Sequence, residues 1–299
     1  GISKITTFYR KAKLEDPSTP LEISTRCISH RMYKEENEHY DSLFLNKRFI
    51  GDLFLVARKH QEEGVKNSIA LWNDGFKRAT LVTGTRLSGR TTFMDYVSKK
   101  YFENEIVLLK PDHHATIDGR KFTTTYDLCE ALEYVKRNNA KNTRPVVIID
   151  DLELWRNKEH SLLQNVRALI NFIETSTDNA YLIVSTTARM QARLNSRLEF
   201  TQFFTTVVDT SKTASEEIVQ AVMVRHGASQ KELISEKGLV LNASQMAKIA
   251  REIGKDYKNN IGEVLQAWTY RSFIKDDDKV LFVEGEVEFV DFLNAQECL

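Results

Sequence analysis

The stretch Ala79-Thr80-Leu81-Val82-Thr83-Gly84-Thr85-Arg86-Leu87-Ser88-Gly89-Arg90-Thr91-Thr92 decides the fold. It opens with an apolar run of strand length and leads into a helical pattern over Thr92 to Phe102. Between them stand two glycines five positions apart, followed two residues later by a threonine. That is the spacing of a phosphate-binding loop, which runs Gly, four residues, Gly, Lys, then Ser or Thr. Gly84, Gly89 and Thr91 match it, and Arg90 stands where the pattern has lysine. The glycines let successive backbone N–H groups curl toward one anion. The helix N-terminus adds partial positive charge beneath it. Thr92 completes the first turn, and the Thr91 hydroxyl is placed to face Mg2+. Arginine is planar and bulkier than the compact ammonium of lysine, so the substitution favours phosphate binding over hydrolysis. The plain alternative is a strand-to-helix turn without a ligand; the strand–loop–helix setting argues against it.

Outward from the loop, four more short apolar runs follow: Glu105–Lys110, Pro145–Asp150, Ala180–Ser185 and Thr205–Asp209. The middle strands are almost continuous in Val, Ile and Leu, as expected for strands buried on both faces of a parallel sheet. Helical periodicity over Thr92–Phe102, Tyr126–Asn138 and Leu162–Glu174 supplies the crossovers, so the pattern predicts a doubly wound α/β domain. Before it, Phe49, Ile50, Leu53, Phe54 and Ala57 predict a lead-in helix, and Val65–Trp72 a second one ending at Asn73-Asp74-Gly75. After Asp209 the strands are expected to stop. Ser215–His226, Ala243–Ile253 and Asn260–Phe273 read as helices, and Lys279–Val283 as an isolated strand or the start of a further region.

The third strand ends in two acids, Asp150-Asp151, about 60 residues after the loop. A carboxylate at such a tip holds Mg2+ in phosphoryl-transfer sites, and a neighbouring acid polarises the attacking water. Asp150 suits the first role and Asp151 the second, with Glu153 as the alternative. Buried strands also end in acids that merely cap the next helix; the joint match with the loop favours the site. Elsewhere, His113-His114 beside Asp112 reads as an exposed loop rather than a metal site, and Cys129 as a core residue.

Taken together, the loop, Val147-Ile148-Ile149-Asp150-Asp151-Leu152-Glu153-Leu154-Trp155 and the helical segments from Ser215 and Asn259 resemble the AAA+ superfamily over Asn46–Phe273. The acidic strand is similar to that of replication initiators and loaders, the later helices to bacterial AAA+ and STAND-like ATPases. The resemblance implies a five-stranded parallel-sheet P-loop NTPase with a C-terminal helical lid domain, binding ATP or ADP with Mg2+. It implies a polar residue at the fourth strand tip that contacts γ-phosphate or water, here Thr186 or else Ser185. It also implies an arginine offered across a subunit interface, with Arg197 chosen over Arg189 and Arg193. A further lid arginine is expected where this chain has Gly262-Glu263, so that charge is missing. The expected domains are an N-terminal arm at 1–45, the P-loop domain at 46–212, the lid at 213–275 and a C-terminal segment at 276–299. The expected function is an ATP-binding module with weak or partner-dependent ATPase activity; a non-hydrolysing nucleotide switch and a protein-interaction scaffold are the alternatives.

The bulk numbers agree with a globular protein of about two domains. Of 299 residues, 41% are hydrophobic and 28% charged. Lys plus Arg (42) balances Asp plus Glu (42), so no global field points to nucleic acid or an anionic membrane, and a nucleic-acid partner has no support beyond the resemblance. A protein partner or self-association is expected instead. No apolar run approaches a membrane span. Cys27, Cys129 and Cys298 fit neither a zinc site nor a disulfide framework, so a reducing, cytoplasmic setting is expected. Gly1-Ile2-Ser3-Lys4 lacks an initiator Met and a signal stretch, and reads as a protease-cut end of a piece of something larger.

Overall fold

Val146-Val147-Ile148-Ile149 forms a strand whose four side chains are all buried, and the larger sheet builds out from it. The computed structural model describes residues 38–45, 54–139 and 143–284. In chain order the elements are α1 (Glu38–Leu45), α2 (Lys59–Asn73), β1 (Ala79–Gly84), α3 (Arg90–Tyr101), β2 (Ile106–Leu109), β3 (His114–Ile117), β4 (Arg120–Thr123), α4 (Leu128–Asn138) and β5 (Val146–Ile149). Then come α5 (Leu162–Ser176), β6 (Tyr181–Thr187), α6 (Ala188–Leu198), β7 (Thr206–Asp209), α7 (Ser215–Ala228), β8 (Glu232–Ile234), α8 (Ala243–Asp256), α9 (Ile261–Tyr270), β9 (Ser272–Asp276) and β10 (Lys279–Phe282). Two units divide the chain: one is Ala57–Ala214 with Asn259–Ile261, the other holds the remaining described residues.

The first unit is built on a five-stranded sheet in the order β2-β5-β6-β1-β7, with every pairing parallel. Alternation along the strands splits the core into two layers. Leu81, Val107, Val147, Ile149, Leu182 and Val184 face one way and pack with Leu132, Val135, Leu169 and Phe172 of α4 and α5. Val82, Val146, Ile148, Tyr181 and Ile183 face the other way and pack with Ile69 and Trp72 of α2 and Phe93 and Val97 of α3. Burying each such Val, Leu or Ile contributes roughly 1.5–3 kcal/mol, so the central strands anchor their own tips. β5 lies one strand away from β1, so the tips carrying Asp150 and Gly84 emerge at the same edge. The buried Asn165 side chain donates to the Tyr126 and Trp155 carbonyls and accepts from Leu128 N, which ties the chain after Asp150 to α4.

Two sequence expectations in this unit need correction, the stretch after β2 and Cys129, and the expected lead-in helix begins before the unit does. Residues 46–53, with Phe49, Ile50 and Leu53, lie outside the described residues, and residues 55–58 are not helical. The polar stretch after β2 holds an antiparallel hairpin, β3–β4, with His114 at its start. Cys129 is exposed, because the buried face of α4 is Leu128, Ala131, Leu132 and Val135.

The second unit combines helices with a small sheet, β8-β10-β9, so the strands do not stop after Asp209. β10 runs parallel to β8 and antiparallel to β9, and α9 ends at Tyr270, which leaves Phe273 in a strand. Tyr40 of α1 ties this unit together. Its hydroxyl accepts from Trp268 Nε1 at 2.9 Å and pairs with His226 Nδ1 at 3.0 Å, all three rings being buried. Cys27 and Cys298, and the parts of the expected arm and C-terminal segment at 1–37 and 285–299, lie outside the described residues.

Candidate functional site

β1 delivers the chain to Gly84, where a side chain has no room. A Cβ there would stand 2.3 Å from Thr210 Oγ1 and 2.4 Å from Ser88 Oγ. Those two hydroxyls bond each other at 2.7 Å, and Thr210 also donates to Thr83 O, so the loop is laced to the end of β7. Gly89 caps α3 in the left-handed region at φ +83°, where L side chains are strained. The Arg58 guanidinium, itself buried, donates to Ser88 O and Thr210 O, both at 3.0 Å, and to Thr213 Oγ1. Asn260 holds the outer side, donating to Thr85 Oγ1 and Arg86 O. The loop is therefore fixed by neutral hydroxyls, an amide and one buried arginine before any ligand is considered.

The first turn of α3 meets the tip of β5. Thr91 Oγ1 donates to Asp150 Oδ2 at 3.0 Å. Ser185 Oγ donates to Asp150 Oδ1 at 2.8 Å and accepts from Asp151 N. Asp151 sits in the left-handed region at φ 49° and begins a tight turn that carries Glu153 back toward β6. There Thr186 Oγ1 donates to Glu153 Oε2 at 2.9 Å and Thr187 N to Oε1 at 3.2 Å. Lys110, just beyond β2, brings Nζ to 4.0 Å from Asp150 Oδ2.

Arg90 does not turn back over the loop. Its Nη2 donates to Asp151 Oδ1 at 2.9 Å, and Nη1 lies 3.7 Å from Glu153 Oε1. Nη1 is buried without a hydrogen-bond acceptor. Burial pushes the Asp151 carboxyl above its ordinary value, and Asp150 and then Glu153 add to the rise; Arg90 and Lys110 oppose it.

The structure thus gathers Gly84, Gly89, Arg90, Thr91, Asp150, Asp151, Ser185, Thr186 and Glu153 at one sheet edge. Ser185, rather than Thr186, touches Asp150, while Thr186 serves Glu153. Thr92 is exposed on α3. Arg197 is exposed in the last turn of α6, spaced by four and eight from the exposed Arg193 and Arg189, and no bond joins it to the carboxylates among the described residues. Lys110, Arg58 and Asn260 escaped the sequence reading. Only Lys110 carried a signal, its place at the tip of the second apolar strand.

Five parallel strands in the order β2-β5-β6-β1-β7, a glycine-containing loop between β1 and α3, and carboxylates at the tip of β5 define a parallel α/β fold of the P-loop kind. No family model and no curated protein matches the chain. Solved structures with a partial likeness include the Aeropyrum pernix ORC2 protein, 12% identical with a TM-score of 0.49 over 76% of this chain and 65% of that one. Drosophila ORC bound to DNA is 15% identical, with a TM-score of 0.46 over 79% and 59%. The S. cerevisiae Hsp104:casein complex is 14% identical, with a TM-score of 0.48 over 76% and 38%. The chain spans less than two thirds of each of these chains. Among the described residues no helix is long and apolar enough to cross a membrane.

Proposed function

We propose that this chain binds ATP or ADP at the Gly84–Thr91 loop and is a weak or partner-dependent ATPase. The observation that carries the reading is the convergence at one sheet edge of the α3 N-terminus, capped by Gly89 in the left-handed region, with Thr91, Asp150 and Asp151. Phosphate oxygens are acceptors for the loop's N–H groups. The residues fit the ligand: the α3 N-terminus begins at Gly89, with the Thr91 hydroxyl in its first turn. They also fit Mg2+, which takes one or two protein oxygens and keeps several waters. Thr91 Oγ1 and the Asp150 carboxylate, already 3.0 Å apart, are those oxygens. A bound Mg2+ would supply charge neutralisation of the phosphates.

The chain's own residues divide the remaining work. Gly84, Gly89 and Thr92 shape the approach to the phosphates, and Ser185 orients Asp150. Asp151, desolvated and next to Asp150, is the base that polarises water, and Thr186 positions Glu153 beside it. In the arrangement seen, Asp151 is occupied by Arg90, which supports weak turnover and gives the switch reading its specific observation. Arg197, with Arg193 and Arg189, offers an exposed cationic face to a second copy or another protein partner.

Thermal shift and phosphate release together test this. Millimolar ATP or ADP with Mg2+ is expected to raise the melting temperature, since a ligand selective for the folded state stabilises it by mass action. Thr91→Ala should lose the Mg2+-dependent part of the shift, and Asp151→Asn should abolish phosphate release while leaving the shift. No shift with either nucleotide, with or without Mg2+, would leave the scaffold reading in its place.

A further inference from the structure

Building on the reading of the loop as a nucleotide site, we infer that Lys110 supplies the phosphate-binding ammonium that the loop itself lacks. The loop's own cation is turned away: Arg90 is bonded to Asp151 at 2.9 Å and directed at Glu153. Lys110 follows a different strand and reaches the Asp150 carboxylate from the β2 side. Its Nζ lies 4.0 Å from Asp150 Oδ2, the same oxygen that accepts the Thr91 hydroxyl at 3.0 Å. The ammonium and the loop hydroxyl thus converge on one carboxylate oxygen, although they follow β2 and β1, strands separated in the sheet by β5 and β6.

The anchoring suits a side chain that moves at one end only. The Lys110 carbonyl accepts from the buried Thr124 hydroxyl, which fixes the backbone. The side chain is 40% exposed and its contact with Asp150 is long, so little holds the ammonium in place. Four methylenes and a point charge with three rotatable donors can follow a phosphate, whereas a planar guanidinium held by two carboxylates cannot. Without nucleotide, Lys110 offsets part of the charge of Asp150. With a nucleoside triphosphate at the loop, its ammonium moves onto the terminal phosphate while Thr91 stays with Asp150. The ligand class this selects is a nucleoside triphosphate over a diphosphate, because the triphosphate carries one more anionic group for the ammonium beside Asp150 to meet.

Affinity measured by calorimetry decides it, with ADP and a non-hydrolysable ATP analogue as probes, each in Mg2+ and in chelator. Lys110→Ala is expected to weaken the triphosphate analogue about tenfold, one charge-assisted contact, and ADP by less than about threefold. Lys110→Arg should retain part of the affinity. Lys110→Ala combined with Arg90→Lys should regain the triphosphate preference, because the ammonium returns to the loop. Thermal melts of the free variants check that each remains folded, and Lys110→Gln repeats the test with a polar stem. Wild-type affinity for the triphosphate in both Lys110→Ala and Lys110→Gln overturns the inference and leaves the nucleotide site standing. Equal losses for both nucleotides overturn the assignment to the terminal phosphate. Wild-type protein that binds neither probe overturns the nucleotide reading, and this inference with it.

Discussion

Arg90→Lys is the substitution that most directly tests how the site is held back. In the structure Nη2 of Arg90 donates to Asp151 Oδ1 at 2.9 Å, with side-chain exposures of 13% and 35%. An exposed pair of this kind is worth at most about 1 kcal/mol, and breaking a buried one costs about 3–5 kcal/mol. The half-buried pair falls between, and screening at Asp151 keeps it near the lower end, at about 1–2 kcal/mol. A lysine at position 90 has a single ammonium that cannot span Asp151 and Glu153 as the guanidinium does. Releasing Asp151 removes that hold, and about 1.4 kcal/mol corresponds to tenfold in rate. Phosphate release at saturating Mg-ATP should therefore rise by up to about tenfold, from a slow wild-type rate, and Asp151→Asn in the same background should erase the gain. Brisk wild-type turnover that falls on Arg90→Lys would refute the reasoning, and would mean the site is built around arginine.

Gly84→Ala should destabilise the protein by about 2–4 kcal/mol, because the added Cβ displaces Ser88 Oγ and Thr210 Oγ1 and breaks their buried hydrogen bonds; a urea midpoint close to wild type would contradict the tight cradle. The second unit predicts a pH dependence. Burial lowers the His226 pKa, so the native state takes up its proton later than the unfolded chain as pH falls. The stability it contributes is full above the unfolded value near 6.5 and is lost as pH drops from there to the lower folded value. Unfolding midpoints should therefore decline more steeply from pH 7.5 to 5.5 in wild type than in His226→Gln; equal slopes would count against the buried Tyr40–His226–Trp268 network as the cause. Chelating Mg2+ should weaken ATP more than ADP, read as a smaller thermal shift; an ATP shift indifferent to the chelator would argue against Thr91 and Asp150 as metal oxygens.

Much of the first unit was legible from sequence because its signals are local. Gly84 and Gly89 have steric reasons for being glycine, and Val146–Ile149 is buried on both faces, so both declare themselves without tertiary information. The β3–β4 hairpin does not: its outward residues are polar, and Ala115 and Ile117 alone are its fully buried apolar contribution. Cys129 was misplaced because apolar neighbours in sequence say less than the helical face formed by Leu128, Leu132 and Val135. In the second unit β8 is three residues long, and β9 and β10 are joined at Asp276–Lys279, too short a pattern to separate from the end of a helix. Which of Ser185 and Thr186 meets Asp150 depends on the register of β5 against β6, which pairs Ile149 with Val184 and so sets Ser185 opposite Asp150. The pairing of Arg90 with Asp151 spans 61 residues and is a tertiary event. The sequence could place an arginine in the loop, not say which way it would point.

The replacement of lysine by arginine is then less a loss of charge than a change in where charge is spent. Three carboxylates, Asp150, Asp151 and Glu153, crowd the end of β5, and like charges at that spacing repel unless cations intervene. A lysine at position 90 could serve either the carboxylates or the phosphates at one moment. Arginine, with two donor edges, binds Asp151 and faces Glu153 at once. That frees Lys110 to attend to Asp150 and its surroundings from the other side. With those carboxylates ionised, the two cations leave the cluster one negative charge in excess, so a polyphosphate cannot enter on side-chain charge alone. It needs the loop N–H groups, the α3 N-terminus and a divalent cation together. Thr91 is bonded to Asp150 while Arg90 holds Asp151, so under the proposed function occupancy and catalysis would be separate steps. Under that reading, a partner's carboxylate that draws Arg90 from Asp151 would convert one into the other.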